Sequence, residues 1–317
     1  MAEAPNYPDM LPEEPWLWEK EYARTCMRAP SMMFRSLLDI TPLGEVKSET
    51  EQLRLLAIGM MISGAVSLLV TSLPGMRPGF YGRYTAEASL AWGVKVNANL
   101  AWFIQESPNL LMAVSNVFMS DKDCLESSVN QILLGLFAMH YLNRALVYPL
   151  LIRRGTPFPV GTVILAMLFC TINGYMQSRV LTRLAVYDEA WFLNPRFGAG
   201  VSLFLAGMLI NMQADATLRF LRPSHPVNPR VHPEDGKGEY KIPRGGGFRF
   251  VSCPNYLGEI LEWAGFALAT GFAIHATAFL VFTASILIPR AVHHHRWYKS
   301  RFPNYPPHRK AVLPFIL

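Results

Sequence analysis

Long runs of apolar residues without any charged side chain set the strongest limit on how this chain folds. Such runs extend from Leu55 to Met76, from Pro157 to Ser178, from Phe197 to Ala214 and from Ala264 to Pro289. A helix of about 20 mostly apolar residues crosses a bilayer core, and these runs reach that length. Helices of soluble proteins average about 12 residues and are usually amphipathic. The pattern therefore predicts an integral membrane protein.

Three further runs have a similar length but contain ionisable residues. They are Leu100–Met119 with Glu106, Val129–Ile152 with Arg144, and Asn255–Gly271 with Glu259 and Glu262. Together the seven runs predict an all-α integral membrane fold with about seven transmembrane helices. The last two runs lie so close together that one long bent helix is an alternative.

Composition excludes several other classes of protein. Hydrophobic residues make up 51% of the chain and charged residues 16%, whereas soluble proteins contain about 25% charged residues. Disordered chains, coiled coils and collagens each have a characteristic amino-acid composition that differs from this one, so all three are excluded. Four cysteines in 317 residues are too few for a disulfide-stapled domain. The net charge of +6 is spread between the apolar runs, which favours membrane topology over nucleic-acid binding.

Charge asymmetry predicts an orientation and a division of the chain. Basic residues follow the first, third, fifth and seventh runs, whereas the N-terminal segment is acidic. The positive-inside rule then places the C-terminus in the cytoplasm and the N-terminus outside or in a lumen. No cleavable signal peptide is visible. We expect residues 1–52 to form a soluble or membrane-surface extension and residues 53–317 to form the membrane domain.

Polar residues inside the apolar runs are the candidate functional residues, because an ionisable group at membrane depth is costly unless it is paired or faces a cavity. They include Glu106, Tyr141 and Arg144, the helix face of Asn211, Asp215 and Arg219, the face of Asn255, Glu259 and Glu262, and the run His293–His295. Each also has a structural interpretation, such as an ion pair between Glu106 and Arg144. The adjacent histidines do not converge on one metal ion.

The combination of these groups indicates a ligand class. Arginines, amides and carboxylates beside the Gly245–Gly247 turn suit the phosphates and ribose hydroxyls of a dinucleotide. Glu106 and Tyr141, set among apolar residues, suit polarisation of a carbonyl on a lipophilic substrate. The motifs of a Rossmann domain and of a serine hydrolase are absent from the sequence.

Several long motifs resemble the steroid 5α-reductase family. In the C-terminal half they are Gly207–Asn211 with Asp215 and Arg219, Tyr240–Gly246, Asn255–Glu259 with Glu262 and Trp263, Arg290–Tyr298, and Tyr305–Phe315. Ala101–Glu106 and His140–Tyr141 extend the resemblance toward the N-terminus. The first 50 or so residues and the insert 224–238 depart from the family pattern.

The resemblance implies a seven-helix membrane reductase of the endoplasmic reticulum that uses NADPH and a lipophilic 3-oxo-Δ4-steroid. By resemblance, Glu106 and Tyr141 hold the 3-keto oxygen, Gln105 supports them, and Phe103 and Leu110 line the steroid pocket. The NADPH-binding half spans about residues 197–317, with contacts at Asn211, Asp215, Arg219, Arg222, Tyr240, Asn255, Glu259, Arg290, His294, Tyr298 and Arg309. No metal, nucleic acid or obligate protein partner is implied.

The resemblance also implies a reaction and leaves alternatives. A hydride from NADPH reaches C5, negative charge develops on the 3-keto oxygen, and hydrogen-bond donors at that oxygen stabilise the charge. Tyr141 can donate directly, and Glu106 can donate only in its protonated form. A trans-2-enoyl-CoA or polyprenol-type reductase shares the fold and cofactor, but the Gln105-Glu106 pair resembles the steroid branch. A non-catalytic sterol-binding protein is a further alternative. Such a protein would not need the polar residues inside the apolar runs, and this chain has them.

Overall fold

A computed structural model describes residues 49–73, 76, 92–120, 122–153, 155–221 and 240–317. Three expectations lie largely or wholly outside these residues. They are the N-terminal extension up to residue 48, the insert 224–238, and the predicted cofactor contact Arg222.

The described residues are mostly helical. The α-helices are α1 (Glu49–Ser72), α2 (Ala98–Phe118), α3 (Lys122–Glu126), α4 (Ser128–Tyr141), α5 (Tyr148–Leu151), α6 (Val160–Arg179), α7 (Pro195–Leu221), α8 (Pro254–Ala269) and α9 (Ile274–Arg301). π-Helical segments Leu142–Val147 and Val180–Leu184 follow α4 and α6, and 3-10 helices span Glu189–Leu193 and Gly246–Arg249. Strands β1 (Lys95–Val96) and β2 (Phe158–Pro159) pair antiparallel, with Lys95 opposite Pro159 and Val96 opposite Phe158.

Within the described residues, four helices are long and apolar enough to cross a membrane: α1, α6 extended to Leu184, α7 and α9. The first three overlap the first three uncharged runs, whereas α9 takes up only the later part of the run Ala264–Pro289, whose first residues belong to α8. Their surfaces carry large apolar side chains that the protein does not cover, such as Leu69 on α1 and Leu165 on α6. An apolar outer face is costly in water and favourable in lipid, so the helix surfaces agree with the membrane class predicted from the sequence.

The last two apolar runs form two helices, α8 and α9, so the alternative of one bent helix is wrong. Gly271 and Phe272 both adopt positive φ, at 68° and 62°, and a right-handed helix cannot continue through such backbone. Trp191 secures the turn, because its Nε1 donates to the carbonyl of Ala269 at 2.9 Å. The turn reverses the chain and sets α9 against α8.

Helices α7 and α8 approach each other backbone to backbone, because glycines face each other along the contact. A Cβ atom added to Gly207 would lie 2.4 Å from the Glu262 nitrogen, and one added to Gly258 would lie 2.5 Å from the Asn211 nitrogen. The same relation holds one heptad away, where Gly200 faces Gly265. Small residues at such positions allow close packing of membrane helices. This antiparallel contact brings the polar faces of α7 and α8 together.

Helices α2 and α6 form the second close pair. A Cβ atom on Gly174 would lie 2.7 Å from the Asn109 Cα, so this glycine lets the two backbones touch. The Asn97 side chain caps α2 by accepting a hydrogen bond from the Asn99 amide at 2.9 Å. Pro108 lies inside α2, and its missing N–H leaves the carbonyl one turn earlier without its helical bond. This gap in the hydrogen bonding lies in the turn of α2 that carries Glu106.

Candidate active site

A cluster of charged and amide side chains joins α7, α8 and the π-helical segment after α4. We call Arg144, Asn211, Asp215, Asn255 and Glu259 the carboxylate cluster. The Arg144 guanidinium bonds the Asp215 carboxylate at 3.1 Å and the Glu259 carboxylate at 2.8 Å. Asn255 Nδ2 donates to Asp215 Oδ1 at 3.2 Å, and Asn211 Nδ2 donates to the Asn255 carbonyl at 2.9 Å. The structure thus brings four of the predicted cofactor residues around one buried arginine.

Aromatic rings cover the other side of this arginine. The Arg144 guanidinium lies 5.2 Å from the ring centroid of Trp102 and 5.0 Å from that of Tyr148. Cation–π contacts of this kind stabilise a cation that has been removed from water. The π-helical turn that carries Arg144 begins directly after Tyr141, and π-helical turns occur frequently at functional sites.

A second buried pair lies one helical turn before Arg144 on α4 and one turn after Glu259 on α8. His140 Nδ1 lies 2.7 Å from Glu262 Oε1, and both side chains are buried. The His140 ring also packs edge-on against Tyr141, with centroids 4.8 Å apart, and against Trp263 at 4.6 Å. The pair therefore forms part of the wall around Tyr141.

Packing and hydrogen bonds hold Tyr141 in place at the C-terminal end of α4. Its side chain is buried, and its ring packs against Phe137 with centroids 4.7 Å apart. Its hydroxyl oxygen accepts a hydrogen bond from Asn173 Nδ2 at 3.1 Å. The same Nδ2 donates to Asn109 Oδ1 on α2 at 3.0 Å. Tyr141 is thereby tied to both α6 and α2.

Glu106 lies on α2 beside a thiol of α6. Cys170 Sγ donates to Glu106 Oε2 at 3.8 Å, and the buried Gln105 donates through Nε2 to Glu106 Oε1 at 3.5 Å. Cys170 also interacts with the side chain of Asn109, and Asn109 is bonded to Asn173. Cys170, Asn109 and Asn173 thus connect Glu106 to Tyr141 through the contact of α2 with α6.

The two predicted pocket residues occupy different environments. Phe103 is 46% exposed, and Leu110 is partly buried against the main hydrophobic core. Leu110 lies one helical turn after Glu106, and Phe103 lies nearly one turn before it. Both are therefore close to Glu106 along α2, but only Leu110 packs into the core.

The remaining predicted cofactor residues line the end of the molecule where α7 and α9 finish. Tyr256 Oη lies 3.3 Å from His294 Nε2, and Arg290 acts electrostatically on the same tyrosine. The Tyr240 ring packs against Trp297, and the Arg219 guanidinium lies over Phe220. Arg219 and Tyr240 are thus at the rim, whereas Tyr298 is buried.

The C-terminal tail adds a buried cation to this end. Arg309 is 5% exposed and lies over the Tyr305 ring at 5.3 Å. Its Nε and Nη1 find no hydrogen-bond partner among the residues that the structure describes. Tyr305 stacks on Tyr298 with centroids 5.2 Å apart, and the bridge between Val251 and Lys310 holds the tail in place.

These features fit an anionic dinucleotide. A buried guanidinium with unused N–H groups is costly unless an anion completes it, and phosphate oxygens do so well. Gly245 has a φ of 86°, and a side chain built on it would meet no heavy atom within 4 Å. The backbone at this turn is therefore open to a ligand. The chemistry of the donor set thus suits phosphates, and the carboxylate cluster suits hydroxyl groups.

Sequence reasoning missed several buried residues that connect to Glu106 and Tyr141. They are Asn109 on α2 and Cys170, Asn173 and Gln177 on α6, all of which are buried. Asn173 and Gln177 are four residues apart within an uncharged run. The rule applied to Glu106, that a polar group inside an apolar helix needs a reason, also applies to amides and was sufficient to select them.

Comparison with known proteins identifies the family. A family model described as 3-oxo-5-alpha-steroid 4-dehydrogenase matches residues 156–317. The chain is 42% identical over 272 residues to 3-oxo-5-alpha-steroid 4-dehydrogenase 1 of Rattus norvegicus, covering 85% of this chain and 98% of the relative. It is 40% identical over 263 residues to the Homo sapiens protein of the same name, covering 83% and 96%. It is also 40% identical over 253 residues to 3-oxo-5-alpha-steroid 4-dehydrogenase 2 of Homo sapiens, covering 80% and 92%. The chain therefore belongs to the 3-oxo-5-alpha-steroid 4-dehydrogenase family.

Proposed function

We propose that this protein reduces the C4–C5 double bond of a 3-oxo-Δ4-steroid and uses NADPH as the reductant. Family membership supports the reaction class. The observation that carries the site assignment is the buried connection between Glu106 and Tyr141 through Cys170, Asn109 and Asn173. Through this connection, two potential hydrogen-bond donors, Glu106 on α2 and Tyr141 on α4, are held in fixed positions near the carboxylate cluster.

Glu106 and Tyr141 act on the 3-oxo oxygen of the steroid. NADPH, when bound, would supply a hydride to C5; negative charge would develop on that oxygen, and a proton taken up at C4 would complete the reduction. Tyr141 donates its hydroxyl proton in a hydrogen bond to the oxygen, and a protonated Glu106 donates a second one. Buried donors aimed at a developing charge act strongly because little water competes with them. Gln105 holds Glu106 by donating to Oε1.

The cofactor lies at the end of the molecule where α7 and α9 finish. Arg309, Arg290, His294 and Tyr298, together with Arg222, bind the phosphates. Tyr240 and Arg219 close the rim. The carboxylate cluster would bind hydroxyl groups of the ribose. The Arg144 guanidinium pairs with both Asp215 and Glu259, so each carboxylate has a cationic partner in this apolar protein and can still accept hydrogen bonds from the cofactor.

The chain crosses the endoplasmic reticulum membrane seven times. Seven described helical segments coincide with the seven apolar runs, with α4, its π-helical turn and α5 together forming one of them. The N-terminus lies in the lumen and the C-terminus in the cytoplasm, which places the cofactor end on the NADPH side of the membrane. Residues 1–52 form an extension, residues 53–317 the reductase domain, and residues 197–317 its NADPH-binding half.

Product analysis in membranes tests the proposal. Membranes containing the chain are given NADPH and progesterone or testosterone, and the 5α-dihydro product is measured by mass spectrometry. An enoyl-CoA is incubated in parallel. We expect steroid reduction, and about a 100-fold or greater loss in Tyr141→Phe and Glu106→Gln, since removing one such donor costs about 2.7–4 kcal/mol of barrier. Reduction of the enoyl-CoA alone, or undiminished turnover in both variants, would overturn the proposal.

A further inference from the structure

The amide network behind Tyr141 has a fixed direction of hydrogen bonding. We define this network as Asn109 on α2 together with Asn173 and Gln177 on α6, all of which are buried. Its outer end is a backbone carbonyl, because Gln177 Nε2 donates to the carbonyl of His275 at 2.9 Å. A carbonyl only accepts hydrogen bonds, so the orientation of the Gln177 amide is not interchangeable.

The fixed orientation of the Gln177 amide in turn fixes the orientation of the Asn173 amide. The second hydrogen on Gln177 Nε2 is donated to Asn173 Oδ1 at 3.2 Å. Asn173 Oδ1 is therefore an acceptor, and its Nδ2 must face the other way. Nδ2 has two hydrogens and meets two oxygens, Asn109 Oδ1 at 3.0 Å and Tyr141 Oη at 3.1 Å. A rotated Asn173 amide would bring its oxygen against both of these oxygens and its nitrogen against Gln177 Nε2.

The network therefore decides which role the Tyr141 hydroxyl plays. A phenol has one hydrogen to donate and can also accept. Since Tyr141 Oη accepts from Asn173, its own hydrogen is not used by the network. We propose that Asn173 and Gln177 are positioning residues that keep the Tyr141 hydroxyl as a donor toward the 3-oxo oxygen of the substrate. This inference rests on the proposed function.

A positioning role for Asn173 and Gln177 differs from a packing role because it depends on the hydroxyl oxygen of Tyr141. A structural amide pair stabilises the contact of α2 with α6 whether or not residue 141 carries a hydroxyl. A positioning residue has an effect on turnover only while the Tyr141 oxygen is present. The chain offers a matched pair for comparison, because Asn116 Nδ2 donates to Ser178 Oγ at 2.8 Å across the same two helices without touching Tyr141.

The experiment combines substitutions in a double-mutant cycle. Asn173→Leu, Gln177→Met and the control Asn116→Leu are each made alone and with Tyr141→Phe. Steroid reduction is measured as kcat and KM, and NADPH affinity is measured as a check of folding. We expect kcat to fall about 10- to 100-fold in Asn173→Leu and about tenfold in Gln177→Met, because part of the gain from one preorganised donor is lost. Asn116→Leu should stay within about twofold, and NADPH affinity should be unchanged in all three.

The cycle separates the possible outcomes. In the Tyr141→Phe background we expect Asn173→Leu to cause no further loss, since residues that act as a unit are non-additive. Equal kcat in Asn173→Leu and Asn116→Leu, or fully additive losses, would overturn the inference while leaving the proposed function intact. Should Asn173→Leu lose NADPH binding, Gln177→Met decides by the same criterion. Undiminished turnover in Tyr141→Phe alone would instead refute the assigned role of that tyrosine.

Discussion

Replacing Gly207 by alanine tests whether the close contact of α7 with α8 builds the cofactor site. The new Cβ would lie 2.4 Å from the Glu262 nitrogen and 2.6 Å from the Gly258 carbonyl oxygen. Both neighbours are backbone atoms, so a side-chain rotation cannot relieve the contact. Restoring ordinary van der Waals distances requires the helices to separate by about 1 Å.

That separation acts directly on the carboxylate cluster. Asn211 lies one turn after Gly207 and donates to the Asn255 carbonyl at 2.9 Å. A shift of about 1 Å lengthens this bond beyond the range in which a hydrogen bond is effective. Overpacking costs about 1–3 kcal/mol, and the lost bond adds about 1 kcal/mol. The gain in helix propensity from Gly to Ala, about 1 kcal/mol, offsets only part of this.

Gly198→Ala is the matched control on the same helix. A Cβ there meets no heavy atom within 4 Å, so only the propensity term remains. We expect Gly198→Ala to be neutral or slightly stabilising, and Gly207→Ala to lower both the thermal stability in detergent and the affinity for NADPH. Stability is read from intrinsic fluorescence on heating, and affinity from fluorescence titration with NADPH. The same melting temperature and NADPH affinity in both variants would refute the packing argument.

Two further predictions concern the buried cations. Arg144→Met leaves the Asp215 and Glu259 carboxylates without their counter-ion, so we expect a loss of about 3–5 kcal/mol of stability, measured by chemical unfolding in detergent; a variant as stable as the parent would show that water reaches these carboxylates. Arg309→Gln removes a guanidinium with unused N–H groups, and we expect about a tenfold or greater rise in the Kd for NADPH with an unchanged steroid KM at saturating cofactor; the exposed Arg196→Gln on α7 is the control, and equal Kd values would exclude phosphate binding by Arg309.

The helices could be predicted from the sequence because one physical requirement dominates them. A bilayer core demands about 20 apolar residues, and the runs that begin near Leu55, Pro157 and Phe197 each became a helix of this kind, as did the later part of the run from Ala264. The boundary between α8 and α9 was not predictable in the same way. It depends on positive φ at Gly271 and Phe272 and on Trp191 from a distant part of the chain. Hydropathy contains no information about such a turn.

The carboxylate cluster could be predicted in part, because residues on one helix face recur at a regular spacing in the sequence. Asn211 with Asp215, and Asn255 with Glu259, repeat at the spacing of one helix face, so the sequence predicts two polar faces. The sequence does not show that Arg144, from the π-helical segment after α4, is the cation between them. The glycines at 207 and 258 indicate close packing, but which helix each one faces depends on the three-dimensional contact.

The direction of hydrogen bonding between Gln177, Asn173 and Tyr141 is the property that was hardest to predict from the sequence. Asn173 and Gln177 are each amides, and an amide offers a donor and an acceptor that composition does not distinguish. The backbone carbonyl of His275 removes this ambiguity at one end, and the geometry transmits the choice to the Tyr141 hydroxyl. A site that must donate to a carbonyl in an apolar membrane protein has no bulk water to reorient its donors. An amide chain anchored to the backbone supplies that orientation before the substrate arrives, which is why we place these two amides in the active site and Asn116 outside it.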